Sequence, residues 1–244
     1  MLKDERRQKI LEIVNEKDFV TNKQLSKLLS STIQTIINDI SELDKEQKLY
    51  KVYGGAKSIH PQTKRYELFD EEKQHININT KDLIAKKASE YVSDGDLIFL
   101  DTGTTTKQMI KYLINKKIIV VTNGYSIALE LIEQDIEVIL LGGSINPSTH
   151  ATIGELALKN LDNFYFDKVF IGMNNLSSQH FYTTNIKEAL IKEKAIKNSD
   201  KSFILMDSSK FGNKNVIKVD VLKETILISD KHTDEYKGLI INLE

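Results

Sequence analysis

The sequence predicts two units in series: a small helical module closed by a β-hairpin, then a doubly wound, mostly parallel α/β domain. Three observations carry this expectation. Apolar residues recur at helical spacing through the first sixty positions, and six strand-like runs alternate with helical segments beyond position 80. Between them, residues 58–80 lack sustained periodicity and hold one of only two prolines, as a linker would. The expected boundaries are therefore 1–57, a linker over 58–80, and 81–244.

In the first unit, Leu2, Ile10, Leu11, Ile13 and Val14 predict an amphipathic helix over about residues 3–15. Thr21 can cap the next helix, with Gln24 completing a capping box and Leu25, Leu28 and Leu29 as its buried stripe. A third helix follows in STIQTIINDISEL (31–43), where Ser31 or Thr32 can cap and Ile33, Ile36, Ile37, Ile40 and Leu43 share helical spacing. LYKVYGGAKSI then alternates around Gly54-Gly55 as a small hairpin does. Three short helices and a hairpin are the plan of a winged helix-turn-helix, whose third helix reads DNA. The same pattern also fits a small helical dimerisation or docking module.

The second unit carries strand-like LIFL (97–100), IIVV (118–121), EVILL (137–141), KVFIG (168–172), SFILM (202–206) and ETILIS (224–229). Alternation with helices gives a parallel sheet, and such sheets bind ligands beyond the carboxyl ends of their strands. Small polar loops follow four of these strands: Asp101-Thr102-Gly103-Thr104-Thr105-Thr106, Thr122-Asn123-Gly124, Gly142-Gly143 and Asp207-Ser208-Ser209-Lys210. The first, leading into a helix around KQMIKYLI, has the glycine, hydroxyls and unpaired N–H groups of a phosphate cradle. No G-K-[ST] follows it, which argues against a nucleotide triphosphatase. Ordinary βα turns favour the same residues, so the inference rests on four loops together.

Composition narrows the function further. The chain has 244 residues, 40% of them apolar, and no cysteine, which removes disulfides, thiolate metal sites and cysteine nucleophiles. His60, His75, His150, His180 and His232 are scattered without metal-ligand spacing, so neither a metal nor another cofactor is expected. The N-terminus is charged throughout and no apolar run reaches about 18 residues, so no membrane association and a cytoplasmic location are expected. Net charge is −1; residues 1–60 hold 11 Lys and Arg against 9 Asp and Glu, a net of +2 that leaves −3 for the rest. That permits DNA binding without recommending it.

The loops, in this order behind this module, resemble the DeoR family of bacterial sugar-operon repressors over nearly the whole chain. The resemblance rests on ERRQKIL (5–11), the T-I-x-x-D frame at Thr35–Leu43, KVYGGA (51–56), DTGTTT, VVTNG, LLGG, FDKVFIG, Thr183-Thr184 with Glu188, and DSSKFG. The stretch from Gly95 to Gly143 looks closest to repressors of fructose operons. The resemblance implies a winged helix-turn-helix joined to a phosphosugar sensor similar in fold to ribose-5-phosphate isomerase. It also implies a homo-oligomer on double-stranded operator DNA, with a phosphorylated sugar, fructose 1-phosphate on the fructose-repressor likeness, shifting DNA affinity. Its phosphate loop maps onto Asp101, Thr102, Gly103, Thr104, Thr105 and Thr106, and its other ligand positions onto Asn123, Gly143, Thr184, Glu188, Lys192 and Lys210.

For DNA, Gln34, Thr35 and Asn38 are expected to face the groove from a helix begun at Thr32, with Asn38 able to pair with adenine. Lys51 and Tyr53 of the wing, with Arg6 and Arg7, are expected on phosphates. Two departures stand out: Ile37 and Asn38 replace the paired arginines usual in the family's reader helix, and Met173-Asn174-Asn175 replaces a glycine-rich turn. Ile37 is expected to join the apolar face. The departures leave room for a sensor that has lost DNA binding and acts through protein partners. An isomerase-like enzyme is the remaining alternative, but the amides of Asn174 and Asn175 stand where such a catalyst carries carboxylates.

Overall fold

The computed structural model describes residues 2–17, 19–58 and 73–243. Most of the expected linker, 59–72, with His60, lies outside them. The chain divides into two compact units, and among the described residues the second begins at Asn77.

The first unit runs α1 (Lys3–Lys17), β1 (Phe19–Thr21), α2 (Asn22–Leu28), α3 (Ile33–Lys45), β2 (Leu49–Val52) and β3 (Gly55–Ser58). The capping box forms as its residues require: Thr21 Oγ1 accepts from Gln24 N at 3.2 Å, and Gln24 Oε1 accepts from Thr21 N at 2.9 Å. Thr32 caps α3 by accepting from Thr35 N. Ile10, Val14, Val20, Leu25, Leu29, Ile36, Ile40, Leu43, Leu49 and Ala56 make the core. Three residues expected in the stripes are exposed: Leu2 at 78%, Leu28 at 56% and Ile33 at 47%. Leu2 precedes its helix, Leu28 lies about 60° from Leu25 and about 100° from Leu29 around its helix, and Ile33 is the first residue of α3.

The sheet order is β1-β3-β2, antiparallel throughout, so the hairpin's second strand is central. Three residues of β1 were too few for alternation to announce a strand. The turn is Tyr53-Gly54, between the paired Val52 and Gly55. Gly55 is required by proximity: a Cβ there would lie 2.3 Å from the Val20 carbonyl oxygen. Because the obstacle is backbone, Gly55→Ala is expected to cost the unit about 1–3 kcal/mol, read by denaturant unfolding of the full chain.

The second unit is built on a seven-stranded sheet of order β15-β14-β12-β9-β4-β5-β6, every pairing parallel. The strands are β4 (Leu97–Leu100), β5 (Ile119–Thr122), β6 (Glu137–Leu140), β9 (Phe166–Gly172), β12 (Ser199–Leu205), β14 (Ile226–Ser229) and β15 (Ile240–Asn242). The first six match the six apolar runs; β15 is an added edge. Helices Ile78–Ser89 and Tyr125–Glu133 help bury one face, and Glu155–Leu161 and Ile186–Lys197 the other, giving two cores. The helix at Ile78 begins inside the expected linker. A ribbon, β7 (Ser144–Ile145) with β8 (Thr152–Ile153), and a small antiparallel sheet, β10 (Asn175–Ser177), β11 (His180–Thr183) and β13 (Ile217–Val219), sit outside the main sheet. The helix expected around KQMIKYLI is broken into Thr104–Lys107 and Ile110–Leu113, too short for a sizeable dipole.

Chain order proceeds from β4 outward through β5 to β6, then returns to β9 on the other side of β4. The carboxyl ends of β4 and β9 are thus the switch point, where a doubly wound sheet opens a crevice. No helix among the described residues is long and apolar enough to cross a membrane.

Candidate functional site

On α3, the residues outside the core stripe form a polar face. Gln34 and Asn38 are exposed one turn apart, Gln34 Nε2 donating to Asn38 Oδ1 at 3.2 Å. Thr35 is half-buried, its Oγ1 2.8 Å from Thr32 Oγ1. Ile37 is half-buried and stays outside the core, contrary to expectation, because Ile36, Ile40 and Leu43 already fill the covered line. Lys51 ties the hairpin to α3: its N–H donates to Asp44 Oδ1 at 2.8 Å and its Nζ to Ser41 Oγ at 2.9 Å. Tyr53 stands at the hairpin tip, 79% exposed.

Arg6 and Arg7 are held within the module. The Arg6 fork grips the buried Asp39 carboxylate, Nε to Oδ2 at 2.5 Å and a terminal nitrogen to Oδ1 at 3.2 Å. Arg7 pairs with Glu46 and, at 3.6 Å, with Glu42. Lys3 adds a 2.8 Å contact to Glu42. The acids along α3 and at its C-cap therefore pair with the cations of α1, tying the two helices together.

The second candidate site lies at the switch point. Asp101, fully buried, follows β4; its Oδ2 accepts from Gly172 N at 3.0 Å and pairs with Lys192 Nζ at 2.5 Å. Lys192, from the helix Ile186–Lys197, also donates to the Gly172 carbonyl at 3.1 Å. Burial pushes the Asp101 carboxyl above its ordinary range against the opposing pull of Lys192. Thr102 N donates to Asn123 Oδ1 at 3.0 Å, and Thr102 Oγ1 to the Thr149 carbonyl at 3.0 Å. Thr106 Oγ1 closes the loop on the Asp101 carbonyl at 2.6 Å, and Thr104 and Thr105 are buried beside it. Glu188, buried, accepts from Asn146 Nδ2 at 2.7 Å and Thr149 Oγ1 at 2.6 Å.

Three buried polar atoms of the expected effector residues have no hydrogen-bond partner among the described residues: Asp101 Oδ1, Asn123 Nδ2 and Thr184 Oγ1. An unmet buried donor or acceptor costs about 1–3 kcal/mol, so atoms of this kind mark where a ligand or water completes the structure. They comprise a carboxylate acceptor, an amide donor and a hydroxyl.

The expected effector residues are brought together unevenly. Asp101, Gly103 and Lys192 converge on Gly172, and Thr102 and Asn123 share a hydrogen bond. Glu188 joins them through Thr149. Lys210 reaches the neighbourhood through the Met173 carbonyl, 2.9 Å from its Nζ. Gly143 serves a close backbone approach, since its φ is +136° and a Cβ would meet the Ile153 carbonyl oxygen at 2.5 Å. Gly172, Asn146 and Thr149 escaped the sequence reading. Asn146 and Thr149 sit in the loop after the LLGG turn, and nothing local in a loop reports a partner some forty residues away. No group of three His, Cys, Asp or Glu among the described residues is placed to hold a metal.

Residues 6–62 match the DeoR-like helix-turn-helix domain and residues 76–231 the DeoR C-terminal sensor domain. The chain is 38% identical over 214 residues to the uncharacterized HTH-type transcriptional regulator FruR of Bacillus subtilis (strain 168), covering 87% of this chain and 84% of that one. It is 30% identical over 241 residues to the lactose phosphotransferase system repressor of Staphylococcus aureus (strain NCTC 8325 / PS 47), covering 97% and 95%. Among solved structures, ribose 5-phosphate isomerase A of Methanocaldococcus jannaschii is similar at a TM-score of 0.42 and 19% identity, over 55% of each chain. With both domain matches spanning most of its length, the chain belongs to the DeoR family of helix-turn-helix transcriptional regulators of sugar metabolism, and is a regulator rather than an enzyme.

Proposed function

We propose that this regulator represses a sugar-utilisation operon and that a phosphorylated sugar, bound at the β4/β9 crevice, sets its affinity for operator DNA. The observation that carries the effector half is the trio of buried, unpartnered atoms on Asp101, Asn123 and Thr184. A polyhydroxylated ligand offers hydroxyls that both donate to Asp101 and accept from Asn123. The Asp101–Thr106 loop supplies backbone N–H groups for its phosphate, with Lys210 the cation best placed to swing toward it. Lys192 is already neutralised by Asp101, so it orients the site more than it charges it. Fructose 1-phosphate is the first candidate, on the likeness of the Gly95–Gly143 stretch to fructose repressors. A thermal-shift panel of phosphosugars tests this. A ligand at 100 times its Kd adds about 2.7 kcal/mol of stability, and fructose 1-phosphate is expected to raise Tm where fructose does not. No response to any phosphosugar sinks the effector assignment.

The DNA half rests on the polar face of α3. Thr32, Gln34, Thr35 and Asn38 face the groove, with Asn38 on adenine, while Lys51 and Tyr53 set position on the backbone. The α1 arginines, tied to the carboxylates of Asp39, Glu42 and Glu46, support α3 from behind. Without cations on this face, affinity is modest. Ile37→Arg with Asn38→Arg is expected to strengthen binding by about 10-fold or more on a site with guanine at the matching position, since a bidentate arginine is worth roughly 1–3 kcal/mol. Anisotropy titrations against the chain's own upstream region measure both proteins. No gain from the arginines places the contacts elsewhere.

Helix-turn-helix readers engage half-sites in pairs, and a homo-oligomer fits the exposed apolar edge of the sheet. Ile139 and Leu140 of β6 are 38% and 39% exposed on opposite faces, beside Leu129 and Ile132 of the adjoining helix. Ile139→Lys is expected to lower the mass measured by light scattering.

A further inference from the structure

The candidates outside the effector crevice converge on the start of the sensor unit. Among the described residues Asn77 is its first; Ile76 belongs with the first unit. Asn77 adopts a left-handed conformation, φ +53°, and occupies the N-cap of the helix Ile78–Ser89. An asparagine there ordinarily accepts from its own helix, worth about 1 kcal/mol. This one makes no such bond. Its Nδ2 instead donates to Asp207 Oδ1 at 2.9 Å and Ser209 Oγ at 3.3 Å, 130 and 132 residues away.

The acceptor is part of a tightly held loop. Asp207 is buried; its Oδ1 also accepts from Ser209 N at 3.2 Å and from Ser209 Oγ. Ser208 is held by Asp230, N to Oδ1 at 2.6 Å and Oγ to Oδ2 at 2.8 Å. Lys81, buried one turn along the helix that Asn77 begins, contributes a cation. Burial pushes the Asp207 carboxyl up, but Lys210, Ser209, Lys81 and Asn77 together hold it below the usual range. Lys210, the next residue in the loop, donates to the Met173 carbonyl, and adjacent Gly172 donates to Asp101. A continuous path of hydrogen bonds and short chain segments therefore leads from Asp101 in the crevice to Asn77, the first described residue of the sensor unit.

We propose that Asn77 is a positioning residue that couples the effector crevice to the DNA-binding unit, latching the entry of the sensor unit to the Asp207–Lys210 loop. The inference rests on the effector reading above. A ligand phosphate that draws Lys210 from the Met173 carbonyl moves the loop, and the Asn77 amide then follows or lets go. Either outcome changes where the segment leading back to the DNA-binding unit is anchored. Coupling requires this difference between states, because a ligand with equal affinity for latched and unlatched forms shifts nothing.

The left-handed backbone supplies a clean variant. Glycine adopts φ +53° without steric cost, so Asn77→Gly removes the amide and leaves the fold of the turn. Asn77→Asp keeps tolerance of that conformation but sets a second carboxylate against Asp207. The full-length wild type and both variants are titrated with operator DNA with and without fructose 1-phosphate. Ligand binding is measured separately by thermal shift, and hydrogen exchange is followed at 76–80 and 207–210. In the wild type the ligand is expected to change DNA affinity by a factor within roughly 5–150 and to alter exchange in both segments. In Asn77→Gly and Asn77→Asp, ligand binding is expected to stay within about three-fold while that factor falls toward 1. Exchange at 76–80 then no longer responds. A variant that binds ligand and keeps the wild-type factor overturns the latch alone. A wild type that responds to no phosphosugar overturns the effector reading and the latch with it.

Discussion

Lys192→Met is expected to destabilise the sensor unit by about 3–5 kcal/mol at neutral pH, the usual cost of stripping one partner from a buried ion pair. Both groups are at most 4% exposed. Methionine keeps the volume but leaves the Asp101 carboxylate with the Gly172 N–H alone on its Oδ2. The deficit carries a pH signature. Burial already holds the Asp101 carboxyl above its unfolded value, and loss of the cation moves it in the same direction. The folded state then binds more protons than the unfolded state between the ordinary carboxylate range and the raised value. Stability consequently falls as pH rises through that window and recovers as pH falls back toward the ordinary range. Urea unfolding at pH 7.5 and pH 5 reads the difference, and an equal deficit at both would remove Asp101 as its source. Replacing both members, Asp101→Leu with Lys192→Met, is expected to regain most of the stability, since an apolar pair of similar volume often equals a buried ion pair. The double variant should still ignore phosphosugars. Recovered stability with a retained ligand response would show that the pair takes no part in binding.

The sequence made the main sheet legible because a parallel sheet buries both faces, so each strand is a continuous apolar run bounded by turn residues. LIFL and SFILM reported strands for that reason, and the loops after them pointed to the ligand end. β1, β7 and β8 were invisible: two or three residues cannot display a period. Helical spacing located α1, α2 and α3 but over-counted their buried faces. Leu28 and Ile33 satisfy the spacing, yet only tertiary partners decide which part of an apolar arc is covered. The effector loop was recognisable from glycine and threonine content, whereas its bracing by Glu188 through Asn146 and Thr149 depends on contacts that no local pattern encodes. Asn77 was hidden for the same reason, lying in a stretch read as linker.

Arg6→Ala is expected to weaken operator binding by ten-fold or more while lowering the stability of the first unit by about 3 kcal/mol, because it strands a buried carboxylate. Asp39 is 3% exposed and both its oxygens are taken by the Arg6 fork. Arg7→Ala is the internal control. Its partners Glu42 and Glu46 are 43% and 40% exposed, so its loss should cost about 0.2–1 kcal/mol. Salt dependence separates the two roles open to Arg6. A side chain that neutralises a phosphate contributes roughly −0.9 to the slope of log K against log salt concentration. If Arg6 serves α3 by holding Asp39, Arg6→Ala lowers affinity with the slope unchanged. The double variant Arg6→Met with Asp39→Leu should then recover both stability and binding. If Arg6 leaves Asp39 for the backbone of the operator, the slope becomes shallower by nearly one and the double variant stays weak. The bidentate grip on a buried partner favours the first outcome, which makes the presentation of α3, rather than the charge of α1, the quantity that Arg6 controls.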